Sequence, residues 1–325
     1  MELTVEKIQS IMCGGVDIKE IDGKLRIYRF NDKEIAAENN PNLHYSAGVR
    51  LVCKTDASAV KIKIHVKNFA VRSYFALDVL CDGVPCGSIT NCNDTTGNFA
   101  EKEYQLGDFS GEFTLPCGEK LLEIVLPHSV VCDIEWLELE NATFIEPVKR
   151  SKKLLSFGDS ITQGYDALHP INSYAARLAD ILDAELFDKG LGGALFCPAL
   201  VTAQDDITPD YITVAYGTND WSSCSSAVLE ENCRGFMKAL SEKYPDVPTI
   251  VITPIWRADM DSIYKAGTFS DVVKIIENEC KPYKNVIIVS GISLVPGKTE
   301  LFGDTYLHPN DEGFKAYAEN LAELF

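Results

Sequence analysis

The sequence predicts an all-β sandwich over residues 1–148 followed by a doubly wound α/β unit over residues 149–325. Three observations carry this prediction. Ala59–Val66 (AVKIKIHV) alternates strictly, with Val60, Ile62, Ile64 and Val66 apolar between Lys61, Lys63 and His65. Period two is the pattern of a strand with one face in a core and one in water. Further on, the runs ITVAY, TIVIT and VIIVS are almost wholly apolar and alternate with helical segments. Parallel strands covered on both faces read this way. Between the two patterns lies the polar connector Glu146 to Lys153 (EPVKRSKK).

Along the first part, a short helix near Thr4–Met12 is followed by apolar-rich runs at Leu25–Phe30, Val49–Cys53, Tyr74–Leu80, Glu112–Leu115, Lys120–Leu126 and Ile134–Glu140. Asp82-Gly83 separates two such runs and tolerates the positive φ values of a type I′ hairpin turn. Short strands with turn residues between them suggest a sandwich or jelly roll. In the second part the expected strands are Leu154–Gly158, Leu186–Asp188, Tyr211–Tyr216, Thr249–Thr253 and Val286–Ser290. The expected helices are Ser173–Leu182, Ser226–Lys243, Phe269–Lys281 and Asn310–Leu324.

Composition narrows the function. Hydrophobic residues make up 46% of 325 and charged residues 24%, which is ordinary for a globular chain. Residues 1–150 carry 16 basic against 23 acidic side chains, residues 151–325 carry 14 against 25, and the whole chain is at −18. With both parts acidic, electrostatic capture of nucleic acid or anionic membrane is disfavoured. No apolar run reaches the length of a membrane span, and the first residues do not read as a signal peptide. Eleven cysteines, an odd number, then fit a cytoplasmic protein with reduced thiols. Cys81, Cys86 and Cys92 lack the spacing of a zinc site, so no metal is expected.

In doubly wound sheets, function sits beyond the C-terminal ends of the strands. The first end reads Gly158-Asp159-Ser160-Ile161-Thr162. Ser160 is placed there either to cap the next helix or to act as a nucleophile. The second end supplies Gly190, Gly192 and Gly193, whose amides can approach a ligand closely. The third reads Gly217-Thr218-Asn219-Asp220-Trp221, with Asn219 either a turn residue or a donor to a developing oxyanion. Near the C-terminus, Asp304 precedes His308 at a spacing that lets a carboxylate orient an imidazole. Trp221, Trp256 and Arg257 also fall at this edge and, with Asp159, are candidates for substrate binding. His169-Pro170 reads as a turn element.

Taken jointly, GDS, the glycine loop, GTND and DxxxHP (Asp304 to Pro309) resemble the SGNH (GDSL-type) hydrolase family over about residues 152–325. The resemblance implies a flavodoxin-like α/β/α fold and ester hydrolysis without a cofactor. By motif it implies Ser160 as nucleophile, His308 as general base and Asp304 as its orienting carboxylate. It also implies an oxyanion hole from the Ser160 and Gly193 amides and the Asn219 side chain. Gly193 is preferred to Gly192 because the family's glycine usually follows a small residue at that offset. Asp188 departs from the family's frequent Asn. An N-terminal sandwich before such a unit resembles carbohydrate esterases, which implies a short-acyl, O-acetyl, sugar ester as substrate. The alternatives are an acyltransferase using the same acyl-enzyme and a noncatalytic carbohydrate-binding protein. The oligomeric state is left open.

Overall fold

The computed structural model describes residues 1–93, 97–205 and 207–325. Its first part is two facing antiparallel sheets. One runs in the order Asp17–Ile21, Lys24–Tyr28, Val131–Glu140, Ala59–Lys67, Gly107–Thr114. The other runs Met12–Cys13, Arg50–Thr55, Lys120–Val125, Ala76–Cys81, Val84–Thr90, with Ile145–Pro147 paired on Arg50–Thr55. Val60, Ile62, Ile64 and Val66 turn inward and meet Leu51, Leu77, Val79 and Ile124 of the opposite sheet. Each of the four is at most 1% exposed, and full burial of such a side chain stabilises by about 1.5–3 kcal/mol. Asp82 (φ 50°) and Gly83 (φ 77°) form the hairpin turn that their sequence demands. The opening helix is Val5–Ile11, capped by the Thr4 side chain on the Lys7 N–H. The sequence did not show the edge strand Asp17–Ile21, whose residues are all half-buried or exposed and so lack alternation.

The last sandwich strand ends at Pro147 and the first parallel strand begins at Lys152. The parallel sheet runs Ala184–Gly190, Lys152–Gly158, Tyr211–Ala215, Thr249–Ile252, Val286–Val289. Numbered from Lys152, this is the 2-1-3-4-5 order of doubly wound flavodoxin-like sheets. Helices cover both faces. Ser226–Lys243 and Phe269–Cys280 bury Phe236, Met237 and Ile276 on one side, while Tyr174–Ile181 and Asp311–Ala322 bury Leu178, Phe314 and Tyr317 on the other. Short helices at Ser160–Gln163, Pro198–Ala203 and Thr218–Ser223 were not anticipated; none exceeds six residues, too few to display a 3.6-residue period.

The two parts are joined by buried charge. Arg29, fully buried, donates to the carbonyls of Tyr45 and Asn42 in its own part and to those of Asp188 and Gly190 in the other. Its guanidinium is also 3.5 Å from the Asp188 carboxylate. One residue on, Lys189 reaches back to Glu34 Oε2 (2.8 Å) and to the Arg29 carbonyl (2.5 Å). Glu34 belongs to the helix Asp32–Ala37, where it completes a capping box with Asn31. Around these ions, Phe30 and Leu43 of the sandwich part pack in the same apolar cluster as Phe187 and Leu191.

Breaking a buried pair costs more than the pair contributes, because one charge is left uncompensated. Lys189→Met is therefore expected to destabilise the chain by about 3–5 kcal/mol in urea unfolding at neutral pH. Lys189→Met with Glu34→Gln removes both charges yet keeps the capping box, and most of that loss should return.

Candidate active site

Strand register places the loops. Gly158 pairs with Gly190 on one side and Ala215 on the other, so three chain segments leave the sheet at one level. Two of these residues must be glycine. A Cβ on Gly158 would lie 2.0 Å from Thr162 Oγ1, and one on Gly190 would lie 2.4 Å from the Gln163 amide nitrogen. The helix Ser160–Gln163 can therefore sit directly on the sheet edge, with Ser160 at its first position.

Ser160 Oγ lies 2.8 Å from His308 Nε2, and His308 Nδ1 lies 2.6 Å from Asp304 Oδ2. Asp304 Oδ1 accepts the N–H groups of Tyr306, Leu307 and His308. Burial alone would raise the Asp304 carboxyl. The hydrogen bond and charge of His308, with the Leu307 and Tyr306 amides, outweigh burial and hold it well below the usual carboxylate range. An ionised Asp304 fixes the proton on Nδ1 and leaves Nε2 to accept from the Ser160 hydroxyl.

The glycine loop faces this serine. Its Gly192 N–H donates to Gln163 Oε1 (2.8 Å), whereas the Gly193 N–H has no hydrogen-bond partner among the described residues. Gly193 is exposed, with φ 78° and open space where a Cβ would stand. The Asn219 carboxamide donates one N–H to the Ala194 carbonyl (3.1 Å). Asp220, buried beside it, accepts from Phe196 N and Gly217 N and so locks the glycine loop to the GTND segment. The Ser160 and Gly193 amides and Asn219 thus belong to one edge, and such donors can stabilise charge on an acyl oxygen.

The four proposed substrate residues are placed differently. Asp159 is the N-cap of the serine helix, 2% exposed, and accepts from Ile161 N. Trp221 is 1% exposed; its indole N–H donates to the Gly267 carbonyl and its ring packs on Tyr264 and Phe269. The Arg257 guanidinium is spent on Asp259, on the Thr218 carbonyl and on Tyr306 Oη. Trp256 lies against Phe302 and Gly297. Burial and these contacts make Asp159, Trp221 and Arg257 scaffold positions rather than pocket walls, because adjacency to a loop motif does not say which way a side chain points, whereas Trp256 is only half-buried. His169 pairs with Asp78 of the sandwich, 2.7 Å away.

Several groups at the site escaped sequence reading. Arg72 comes from the sandwich part and stands 3.4 Å from His308 Nδ1. Asp166, Tyr165 and Gln163 follow the serine, and Asn40 and Asn42 of the sandwich part both donate to the Gly192 carbonyl. Only the three that share the nucleophile loop had any sequence signal, namely nearness to GDS.

A parallel α/β/α sheet carrying a serine, an imidazole and a carboxylate in hydrogen-bonded series defines the class of serine acyl hydrolases. Residues 156–316, just under half of the chain, match the GDSL-like Lipase/Acylhydrolase family. Three solved structures share the fold over nearly the whole chain. The salicylyl-acyltransferase SsfX3 from a tetracycline biosynthetic pathway is 21% identical, with TM-score 0.78, covering 96% of this chain and 94% of its own. A family two carbohydrate esterase from Cellvibrio japonicus is 18% identical (TM-score 0.66; 98% and 95% covered). One from Clostridium thermocellum, solved with cellohexaose, is 15% identical (TM-score 0.65; 86% and 92% covered). No curated protein matches the sequence significantly. Among the described residues, no helix is long and apolar enough to cross a membrane.

Asp159 yields a pH prediction. Burial, reinforced by Asp220, pushes its carboxyl up to about 7 against the pull of the Ile161 N–H, His308 and Arg257. A folded value above the unfolded one, about 3.9, means that the protonated acid favours folding. That contribution is complete below the unfolded value and is lost as pH rises through 7. Asp159→Asn keeps a capping oxygen without the charge. Thermal unfolding of the variant should therefore improve relative to wild type from pH 4 to pH 8.

Proposed function

We propose that the protein is a serine esterase that removes short acyl groups, O-acetyl above all, from a carbohydrate. The observation that carries the reading is the unbroken series Ser160 Oγ to His308 Nε2 (2.8 Å) and His308 Nδ1 to Asp304 Oδ2 (2.6 Å). In the proposed reaction His308 takes the Ser160 proton as Oγ attacks the acyl carbon. The carbonyl oxygen becomes an oxyanion that the Ser160 and Gly193 amides and Asn219 receive. His308 then gives the proton to the departing sugar oxygen, leaving an acyl-Ser160. Water, deprotonated by His308, attacks that acyl group and releases the acid. The steps need neither metal nor cofactor.

Two further features support the substrate class. Beside Gly193 lies an open groove with a mixed lining, in which Glu38, Asn39, Asn40 and Asn232 offer partners for hydroxyl groups next to apolar Leu195 and Pro198. Leu191 and Trp221, which flank the oxyanion segments, are buried in the core and add no apolar surface beside the serine. The likeness to two family two carbohydrate esterases points the same way. The likeness to an acyltransferase favours one other outcome, passage of the same acyl group to an alcohol acceptor.

Hydrolysis of p-nitrophenyl acetate should fall by about 10⁴-fold or more in Ser160→Ala and His308→Ala. In Asn219→Ala it should fall by about 10²–10³-fold. Equal release from wild type and Ser160→Ala would refute the nucleophile. Among acetylated xylan, acetylated oligosaccharides and longer acyl esters, the acetylated sugars should be the better substrates. Acyl products that form only when an acceptor alcohol is added would establish transfer instead.

A further inference from the structure

His308 and Asp304 of the reaction above belong to a larger charged cluster. Oxygen atoms of Asp166 and Asp304 and a ring nitrogen of His308 all lie within 4.8 Å of one another. Burial and the nearby Asp304 push the Asp166 carboxyl up, and Arg72 of the sandwich part, with His308, supplies the positive charge that opposes this and favours the carboxylate. Its Nε donates to Asp166 Oδ1 (2.9 Å), and its Nη2 stands 3.8 Å from Asp304 Oδ2. The Arg72 and Asp166 side chains are only 9% and 0% exposed, so solvent screens them little. The 3.4 Å approach of Arg72 Nη2 to His308 Nδ1 is electrostatic contact, because Nδ1 already donates its proton to Asp304. The rest of the cluster is held firmly: Asp166 N–H donates to Tyr74 Oη, and the Arg72 guanidinium lies 5.4 Å from the centre of the Tyr165 ring.

We propose that Arg72 is a positioning residue whose charge cancels Asp166, so that His308 works against the single uncompensated carboxylate of Asp304. The proposal rests on Ser160, His308 and Asp304 being the reacting set. The groups facing His308 are Asp159, Ser160, Tyr165 and Asp166 from the nucleophile loop, Asp304 from its own loop, and Arg72 from the sandwich. With Arg72 neutralised, two carboxylates would favour imidazolium and withdraw the base. With Asp166 neutralised, Arg72 would offset Asp304 and disfavour imidazolium. With both neutralised, the charge beside His308 returns to its original sum.

The test is the acidic limb of the kcat/KM profile for p-nitrophenyl acetate, which reports groups of the free enzyme. Arg72→Gln should move the limb to higher pH by about one unit, and Asp166→Asn should move it to lower pH by a similar amount. The double variant should return to the wild-type limb. Asn accepts the φ of 71° at position 166, so Asp166→Asn tests the idea even if Arg72→Gln does not fold. Lower activity with every limb unmoved would make the pair a mere tie between the two parts and overturn the proposal, as would shifts that fail to cancel. Ser160→Ala, run alongside, tests the reacting set separately.

Discussion

Arg29 and Lys189 are buried where the sandwich meets the C-terminal end of the strand Ala184–Gly190, and the geometry beyond that end depends on them. Arg29 links the carbonyls of Asn42 and Tyr45 to those of Asp188 and Gly190, while Lys189 returns to Glu34. A buried guanidinium is costly unless each donor finds an acceptor, so this contact tolerates little sliding. Burial pushes the Arg29 guanidinium down to about 10 despite Asp188, which still leaves it charged at neutral pH. The sandwich is thereby held as a wall of the strand-end site.

From that contact the constraint runs into the chemistry along short paths. Asn40 and Asn42 hold the Gly192 carbonyl, and Asn42 also accepts from Tyr165. Gln163 joins the Gly192 amide to the His128 carbonyl, which ties the serine helix, the glycine loop and the sandwich to one side chain. With Gly192 occupied on both its N–H and its carbonyl, the Gly193 amide is the one left facing outward. This supports Gly193 as the oxyanion donor in the proposed reaction. On the opposite side Arg257 plays a similar structural part, tying Thr218 to Tyr306 and hence the GTND segment to the loop that carries Asp304 and His308.

The parts of this arrangement that were legible in the sequence are those set by local pattern. Apolar runs such as ITVAY fixed the parallel strands, and parallel strands bring their C-terminal loops to one edge, so the GDS, glycine, GTND and DxxxH segments could be placed near one another. The alternation around Ile62 and Ile64 likewise exposed the sandwich. Contacts that depend on the docking of two differently patterned parts left no such trace. Arg72 and Asp166 are 94 residues apart, and nothing around Arg72 marks it as facing an imidazole. Trp221 was misjudged for a related reason. The short helix Thr218–Ser223 rotates it away from Asn219 and into the core, and a turn and a half of helix gives no readable period.

The central claim is covalent: the acyl group passes through Ser160. It is tested most directly by mixing the protein with p-nitrophenyl acetate, quenching with acid within the first turnovers, and mapping the modified peptide by mass spectrometry. The account predicts one acetyl group on Ser160 in wild type, decaying as acetate is released, and none in Ser160→Ala. Acetyl found on another residue, or turnover that persists in Ser160→Ala, would contradict it.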